Sequence, residues 1–282
     1  MTGTILEGRT VADSIAVDLA GRAARLAEQG HRPALLFVSI GNSGPARLYA
    51  SRLRRLSGRV GVAMTEHALP GDVPTSAFEE AIVASNEDRA TDGILVQMPL
   101  PPQLGDTDLS GLISPRKDID GITVANAGRL YLGVPGRRPP TALAMMALLQ
   151  ASGVSATGSK AVVIGRSNVV GHPVAELLLQ QDATVTVTHR GTPDLAAETR
   201  TADVLMVGAG EPGLVRAHMV KAGAVVIDAG ITVTEHGVVG DVAFDEVLPL
   251  VRAITPVPGG VGPITTAMLL HNVVESAEEG LG

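Results

Sequence analysis

The chain alternates between short apolar runs and longer segments in which apolar residues recur with helical period. Apolar runs rich in β-branched residues predict buried strands at residues 33–40, 62–67, 93–96, 161–164, 183–188, 204–207 and 224–227, with a weaker strand at 238–242. Helical spacing predicts helices at 10–29, 46–60, 76–86, 142–152 and 264–278, and another that begins near Pro173. Because strands and helices alternate at short intervals, we predict an α/β fold with parallel sheets covered on both faces.

Two polar segments interrupt this alternation. A turn is predicted at residues 41–45, which contain two glycines and a proline. A longer polar loop contains Asp106, Asp108 and the sequence SPRKDIDG at residues 114–121. It follows a strand end, which is where open α/β sheets bind ligands. We interpret the helix at 142–152 as the link to a second domain.

The stretch from Ala161 to Arg190 has the length and pattern of a β-loop-α-β nucleotide-binding unit. Its loop, GRSNVVG at residues 165–171, lacks the usual G-x-G-x-x-G. The loop keeps glycines where the backbone must turn or approach closely, and it precedes a helix N-terminus, which attracts phosphate. Because many parallel sheets turn in this way without a ligand, the loop by itself leaves nucleotide binding and a plain scaffold equally open.

The end of the second strand of this unit favours NADP over NAD. Units that bind NAD usually carry an acidic residue about 20 residues after the loop, where it holds the ribose hydroxyls. Here the strand ends in Thr188, His189 and Arg190, with no acid. Arg190 and Arg166 are placed to flank a 2′-phosphate, although either arginine alone is also compatible with a solvated surface position. The segments Gly208–Gly210 and Asp228–Gly230 follow later strands, where a cofactor would also lie.

Composition limits the classes of partner. The chain has 282 residues, 45% hydrophobic content and a formal net charge of −7, which argues against nucleic acid or an anionic membrane as the main partner. Arginine is massed only at residues 52, 54 and 55. Cysteine is absent, which excludes disulfides and thiolate metal sites, and we expect no metal. No apolar run approaches the ~18 residues that span a bilayer, and we expect a soluble, cytoplasmic protein.

Several segments together resemble the methylenetetrahydrofolate dehydrogenase/cyclohydrolase family, in the order that the family has them. The resemblance extends over nearly the whole chain, and the last segment is the most specific. These segments are GILVQMPLP at 93–101, KDIDG at 117–121, GRSNVVGHP at 165–173, VIDAGI at 226–231, GDV at 240–242 and TPVPGGVGPIT at 255–265.

The resemblance implies a homodimer of chains with two α/β domains and a cleft between them, the second domain being a Rossmann-like parallel sheet. Residues 1–140 are then the folate-binding catalytic domain, which the C-terminal helix at 264–282 joins. Residues 141–263 are the NAD(P)-binding domain. The substrate implied is a tetrahydrofolate, and the cofactor is NADP, with NAD less favoured.

The same resemblance implies the site residues. Tyr49, Gln97 and Asp120 are implied to be catalytic and to bind the folate, with Asp120 accepting hydrogen bonds from the N–H donors of the pterin ring. Pro99, Pro258, Gly259 and Gly260 are implied to complete the substrate site. The cofactor is implied to contact Gly165, Arg166, Ser167, Val170, Gly171, His189, Arg190, Gly208, Gly230, Ile231, Gly262 and Thr266.

One position departs from the family. The family has a lysine four residues after the tyrosine, on the same helical face, and Leu53 occupies that place; Gly61 matches the family's next glycine, which fixes the register. The family's lysine serves the hydrolytic step, and leucine neither donates nor accepts a proton. Arg52 and Arg54 are neighbours, but a guanidinium stays protonated and cannot act as a base.

These observations predict NADP-dependent oxidation of 5,10-methylenetetrahydrofolate to the methenyl form, with weak or lost cyclohydrolase activity. Hydride transfer makes a smaller demand on the protein, because the cofactor carries the hard chemistry. Two alternatives stay open: a paralogue that passes the methylene unit to another acceptor, and a non-catalytic dimer that binds folate or nucleotide. Two intact segments, 165–171 and 256–263, favour an enzyme.

Overall fold

The computed structural model describes residues 3–41, 44–235 and 237–281. The predicted turn at 41–45 includes Asn42 and Ser43, which lie outside the described residues. The strands are β1 (Thr4–Ile5), β2 (Ala34–Ile40), β3 (Ala63–Leu69), β4 (Gly93–Val96), β5 (Lys160–Ile164), β6 (Thr184–Thr188), β7 (Val204–Val207), β8 (Val225–Asp228), β9 (Thr232–Thr234), β10 (Gly237–Val239) and β11 (Ala253–Ile254). The helices are α1 (Gly8–Glu28), α2 (Gly44–Arg59), α3 (Thr75–Glu87), α4 (Leu109–Leu112), α5 (Val124–Tyr131), α6 (Pro140–Ala151), α7 (Gly171–Leu179), α8 (Leu195–Thr199), α9 (Phe244–Val247) and α10 (Val261–Leu281).

The chain divides into two compact units, each named here after its sheet. The three-stranded unit consists of Ser14–Arg138 and Leu269–Gly282, and the six-stranded unit of Met1–Asp13 and Pro139–Met268. Both main sheets are parallel, as the alternation of strands and helices predicts. The protein therefore has a two-domain α/β fold.

The three-stranded unit has the strand order β3-β2-β4, with β2 in the centre. Successive side chains of β2 point to opposite faces, so Leu35 and Phe37 join one buried cluster while Val38 and Ile40 join another. A strand that is buried on both faces carries apolar side chains on both faces. This explains why β2 reads as a continuous apolar run rather than as an alternating one.

The last part of α10 belongs to the core of the three-stranded unit. Leu269, Leu270, Val273 and Val274 are at most 3% exposed and pack in the same cluster as Leu35 and Phe37. Asn272 on this helix donates hydrogen bonds of 2.7 and 2.9 Å to the carbonyl oxygens of Ile119 and Arg138. Each large apolar side chain buried in this way contributes about 1.5–3 kcal/mol to stability. The end of the chain therefore helps to hold the first α/β unit together.

The six-stranded unit has the strand order β1-β11-β8-β7-β5-β6. Its central strands β5, β7 and β8 are buried, which matches their apolar sequences. Helices α6 and α7 pack against each other and against this sheet. Pro140 lies in the first turn of α6, where a missing N–H costs nothing. Successive strands end at the same edge of the sheet, and their loops collect there.

Three elements differ from the sequence-based prediction. Strand β1 was not predicted, and because it pairs with β11, the first residues lie in the six-stranded unit rather than in a domain of residues 1–140. The predicted strand at 238–242 is confirmed only at Val238 and Val239: β10 ends at Val239 and pairs antiparallel with β9, while Val242 forms a separate bridge with Val215. The polar segment after residue 101 contains two short helices, α4 and α5.

Among the described helices, none is long and apolar enough to cross a membrane.

Candidate active site

The three-stranded unit contains a cavity of about 820 Å³ at the carboxyl ends of β2 and β4. Four residues predicted to bind substrate line it together: Tyr49, Gln97, Pro99 and Asp120. Most of the remaining wall is apolar, from Phe37, Ile40, Leu95, Val96, Met98 and Leu100. An apolar cavity with a few polar groups suits a flat heterocyclic ligand.

Gln97 follows β4 directly and is tied to the end of β2. Its main-chain N–H donates to the carbonyl oxygen of Val38 at 2.9 Å. Its side-chain amide meets the main chain of Ile40, accepting from the N–H at 3.3 Å and donating to the carbonyl oxygen at 3.4 Å. The peptide bond between Met98 and Pro99 is cis. The sheet thereby fixes the position of Gln97 at the cavity wall.

Asp120 is held by a loop whose shape is set by the buried Asp118. The Asp118 carboxylate accepts hydrogen bonds from the main-chain N–H groups of Ile122 and Thr123, at 3.0 and 2.8 Å, and from the Asn126 amide at 2.9 Å. Thr123 also caps α5 through its side chain. Desolvation, with a smaller contribution from the charge of Asp118, raises the pKa of Asp120 to about 7. Asp120 can therefore exist in either protonation state in neutral solution.

Tyr49 stands beside Asp120 on helix α2. Its ring lies 6.3 Å from the ring of Phe37, centroid to centroid, and its side chain is 41% exposed. Desolvation, and then the nearby charge of Asp120, raises the pKa of Tyr49 to about 12. The phenol is therefore neutral at physiological pH, and it can donate or accept a hydrogen bond.

Leu53 lies one helical turn beyond Tyr49 but does not line the cavity. It is 0% exposed and packs in the cluster that contains Leu35, Phe37 and Ile119. An apolar side chain fits this position well, because it is fully buried and packs among other apolar side chains.

The six-stranded unit contains a second cavity, of about 560 Å³, at the carboxyl edge of its sheet. Six residues predicted to bind cofactor line it: Gly165, Arg166, Ser167, His189, Arg190 and Gly208. The cavity thus combines glycine backbone with two cationic side chains. This combination fits a phosphorylated ligand.

Close backbone contacts explain the glycines of this cavity. Gly165 has φ +108°, and a Cβ atom there would overlap the carbonyl oxygen of Gly208. A Cβ atom on Gly171 would overlap the carbonyl oxygen of Gly165. Between them, the Ser167 hydroxyl accepts from the N–H groups of Val170 and Gly171 at 3.2 and 3.4 Å. Only glycine lets the first turn of α7 approach the strand ends so closely.

Two buried aspartates, which were not predicted as site residues, hold the neighbouring loops. Asp241 is 0% exposed and accepts from the N–H groups of Ala209 and Gly210 at 2.7 and 2.8 Å. Asp228 accepts from Gly230 and Val242 at 2.8 and 2.9 Å, and desolvation raises its pKa to about 6. The motifs at 226–231 and 240–242 contain both residues, but only the fold brings their loops together.

Two sequence profiles cover most of the chain. The profile of the tetrahydrofolate dehydrogenase/cyclohydrolase catalytic domain matches residues 6–120. The profile of the NAD(P)-binding domain of the same family matches residues 139–281. The chain belongs to the tetrahydrofolate dehydrogenase/cyclohydrolase family. The resemblance seen in its motifs is therefore confirmed, and the six-stranded unit corresponds to the family's Rossmann-like domain.

Relatives of this family match the chain from end to end. The bifunctional protein FolD of Variovorax paradoxus is 44% identical over 279 residues, which are 99% of this chain and 99% of that protein. A bifunctional FolD structure from Campylobacter jejuni is 38% identical with a TM-score of 0.93, covering 98% of this chain and 99% of that one. A methylenetetrahydrofolate dehydrogenase-cyclohydrolase from Trypanosoma brucei, in complex with NADP and an inhibitor, is 37% identical with a TM-score of 0.93, covering 100% and 99%.

The other residues that the family implied lie in the six-stranded unit but line neither cavity. Pro258, Gly259 and Gly260 form the turn before α10, where the Gly259 carbonyl oxygen accepts from the Gly8 N–H at 2.8 Å. Gly262 and Thr266 lie in the first turns of α10, and Ile231, after β8, is 64% exposed. Val170 packs near Gly208, and Gly230 lies against Asp241. Their roles stay predictions.

Proposed function

We propose that the protein oxidises 5,10-methylenetetrahydrofolate to 5,10-methenyltetrahydrofolate with NADP as the oxidant. The observation that carries this proposal is the cavity of the three-stranded unit, in which Tyr49, Gln97 and Asp120 meet. The ionised Asp120 accepts hydrogen bonds from pterin N–H donors, while Tyr49 and Gln97 lie beside the carbon that reacts. The apolar walls exclude water and leave these polar groups to orient the ring.

The second cavity fits NADP on the contacts that its own residues make. A Cβ atom on Gly165 would overlap the Gly208 carbonyl oxygen and one on Gly171 would overlap that of Gly165, so glycine keeps the N-terminus of α7 close to the strand ends, and a helix N-terminus there suits a pyrophosphate. Arg166 and Arg190 supply the charge that a 2′-phosphate requires. When bound, NADP accepts the hydride that the methylene carbon loses. The part of the protein is to hold the nucleotide and to orient it.

We propose further that the methenyl product is released largely unhydrolysed. Leu53 occupies the position of the family's lysine, and its side chain is fully buried among apolar residues. Arg54 is nearby, but it pairs with Glu66 at 2.9 Å, and a guanidinium does not act as a base. Among the described residues that line the cavity of the three-stranded unit, no lysine or histidine replaces the missing base.

One ultraviolet assay tests both statements. Purified protein receives methylenetetrahydrofolate with NADP, then with NAD, and the absorbance of the methenyl product is followed as it forms and decays. We expect formation with NADP and slow decay, at nearly the rate without enzyme. No formation with either nucleotide would contradict the proposed oxidation. A strict requirement for a third substrate would instead favour transfer of the methylene unit to another acceptor, and binding of both ligands without turnover would favour a non-catalytic protein.

The variant Leu53→Lys tests the assignment of the hydrolytic step. Lysine restores the residue that this position has in the family, so hydrolysis of the methenyl product should accelerate by at least about tenfold. Leu53→Met is the matched control, because methionine has a similar volume and no basic group. Equal hydrolysis rates in the two variants, with both folded, would mean that position 53 does not control this step.

We also propose that the chain acts as a homodimer. The resemblance to the family supports this, and β6, an edge strand of the six-stranded sheet, exposes part of Val187. Edge strands with free main-chain groups are common sites of association. Light scattering after size-exclusion chromatography measures the mass directly. A single species of 28.9 kDa at enzyme concentrations used in assays would contradict the dimer.

A further inference from the structure

The loop that carries Asp120 is held on both sides, and its upstream side depends on helix α10. Downstream of Asp120, two main-chain N–H groups donate to the carboxylate of Asp118 at 3.0 and 2.8 Å. Upstream, the carbonyl oxygen of Ile119 accepts a hydrogen bond of 2.7 Å from the side-chain amide of Asn272. Asn272 comes 153 residues later in the chain, so only the fold brings this donor to the loop.

The bond from Asn272 acts on the peptide group that leads into Asp120. The carbonyl oxygen of Ile119 and the main-chain N–H of Asp120 belong to one planar peptide group. A donor that fixes the oxygen therefore orients this plane, and with it the direction in which the Asp120 side chain leaves the main chain. The Ile119 side chain is 0% exposed and packs in the same cluster as Leu270 and Val273 of α10. Packing and hydrogen bonding thus hold the same peptide.

Asn272 uses both hydrogens of its side-chain amide in this contact region. It is 1% exposed, and it also donates to the carbonyl oxygen of Arg138 at 2.9 Å. A buried carbonyl oxygen that loses its donor is destabilised, because water cannot replace the bond without entering the core. Removal of this one amide would therefore favour a different position of the peptide between Ile119 and Asp120.

Ser276 repeats the contact one helical turn later. Its hydroxyl donates to the carbonyl oxygen of Arg116 at 2.9 Å, three residues before the oxygen that Asn272 binds. The same hydroxyl accepts from Arg137 Nε at 2.9 Å. The Arg137 side chain is 2% exposed and pairs with Glu275 and Glu279 at 2.5 and 2.6 Å. Residues three and four apart share one helical face, so α10 presents a polar edge to this loop.

We propose that Asn272, assisted by Ser276, is a positioning residue that directs the Asp120 carboxylate into the cavity of the three-stranded unit. This inference rests on the proposed function, because Asp120 is the residue proposed to hold the folate ring. The alternative is that Asn272 only secures α10 in the core. A positioning role changes the solvation of Asp120 and its contact with substrate, whereas a purely structural role changes stability alone.

The test uses Asn272→Ala, with Val274→Ala as the matched control, because Val274 is 0% exposed and lies on the same helix. In Asn272→Ala, KM for methylenetetrahydrofolate should rise about tenfold, since Asp120 is displaced from the pterin ring. KM for NADP should not change, because the cavity that Gly165 and Arg190 line belongs to the other unit. Val274→Ala should lower the unfolding temperature and leave both KM values unchanged.

The pH dependence of kcat/KM gives a second measurement. A loosened loop admits water to Asp120, so the midpoint near pH 7 should fall by about one pH unit in Asn272→Ala. The titratable groups that act on Asp120 are Asp118 on its own loop and Tyr49 on α2, and the variants keep both. Ser276→Ala should shift KM and the midpoint in the same directions, with a rise of about threefold in KM.

An unchanged KM for methylenetetrahydrofolate and an unchanged midpoint in Asn272→Ala would overturn the proposal. If Asn272→Ala does not fold, Ser276→Ala decides by the same two measurements. Absent turnover in the unmodified protein would contradict the proposed oxidation instead. The positioning is then tested without turnover, by NMR titration of ¹³C-labelled aspartate carboxyl groups, with the signal of Asp120 assigned by its loss in Asp120→Asn. A lower pKa of Asp120 in Asn272→Ala or Ser276→Ala would support the proposal, and the same pKa as in Val274→Ala would refute it.

Discussion

The two cavities differ in whether main chain or side chains form their functional walls. The cavity of the six-stranded unit is shaped by main chain, because Gly165, Gly171 and Gly208 approach one another closely. The carboxylates of Asp228 and Asp241 hold the adjoining loops by accepting hydrogen bonds from main-chain N–H groups. The cavity of the three-stranded unit is shaped by side chains, with Tyr49, Gln97 and Asp120 projecting from a helix, a strand end and a loop.

This difference shows where each site tolerates change. A substitution in a loop of close main-chain contacts displaces the backbone, so fold and binding change together. A substitution in a site of projecting side chains removes one chemical group and leaves the frame intact. At Leu53, where we propose that the family's basic group is missing, the leucine is a fully buried part of the core.

The largest effect is expected from Gly165→Ala. The added Cβ atom would overlap the Gly208 carbonyl oxygen, and φ +108° is unfavourable for alanine. NADP affinity should fall at least about a hundredfold, with several kcal/mol of lost stability. Gly158→Ala is the control, because Gly158 has φ +73° and open space around it, so it should cost only about 1 kcal/mol. Fluorescence titration with NADPH measures the affinity, and thermal unfolding measures the stability. Equal losses of affinity and stability in the two variants would contradict the claim that close main-chain contacts shape this cavity.

In the cavity of the three-stranded unit, the corresponding variant is Asp120→Asn, which removes one charged side-chain group. Loss of an ionised acceptor should lower kcat/KM by about a hundredfold. Because the folded pKa of Asp120 is about 7, the activity of the unmodified protein should rise with pH through 7, and this step should vanish in the variant.

Whereas activity should rise with pH through 7, the contribution of Asp120 to the free energy of unfolding should fall. The unfolded carboxyl ionises near 3.8 and the folded one near 7, so stability decreases as pH rises between these values. At pH 8 the variant should be more stable than the unmodified protein, by on the order of 2–4 kcal/mol. Urea unfolding at pH 5 and pH 8 measures this, with the exposed loop residue changed in Asp106→Asn as the control. Equal stability at pH 8 would show that Asp120 is not desolvated.

A smaller effect is expected from Asp241→Ala. The change leaves the N–H groups of Ala209 and Gly210 without their acceptor, at a cost of about 2–4 kcal/mol. KM for NADP should rise while kcat changes little, because Ala209 lines the cavity of the six-stranded unit and not that of the three-stranded unit. Asp241→Asn keeps one acceptor oxygen and should largely restore KM. If the asparagine variant is as impaired as alanine, the loops depend on the charge of Asp241 and not on its hydrogen bonds.

The smallest effect is expected from Arg190→Gln. This side chain is exposed at the cavity rim and contributes charge without shaping the backbone. The ratio of kcat/KM for NADP to that for NAD should fall about tenfold, since one cation near a 2′-phosphate is lost. Arg200→Gln, an exposed arginine at the end of α8, is the control. An unchanged ratio would assign the nucleotide preference to Arg166 alone.

The sequence by itself determined the α/β architecture, both parallel sheets and the glycine loop at 165–171. These features depend on local periodicity and on where glycine must occur, which neighbouring residues encode. The resemblance to the family also marks Leu53 as a departure from the family's lysine, which stays a prediction. The resemblance likewise implied that Tyr49, Gln97 and Asp120 share one site, and all three line the cavity of the three-stranded unit.

Only the tertiary structure decided the features that depend on distant contacts. Strand β1 has two residues and no pattern of its own, and it exists because β11 pairs with it. Burial and the charge of Asp118, not the identity of Asp120, raise the pKa of Asp120. Asp241 and the loop at Ala209 lie 32 residues apart in sequence and meet only in the fold. Periodicity reports which face of an element is buried, whereas the partners of a buried polar group are set by chain segments that no local pattern links.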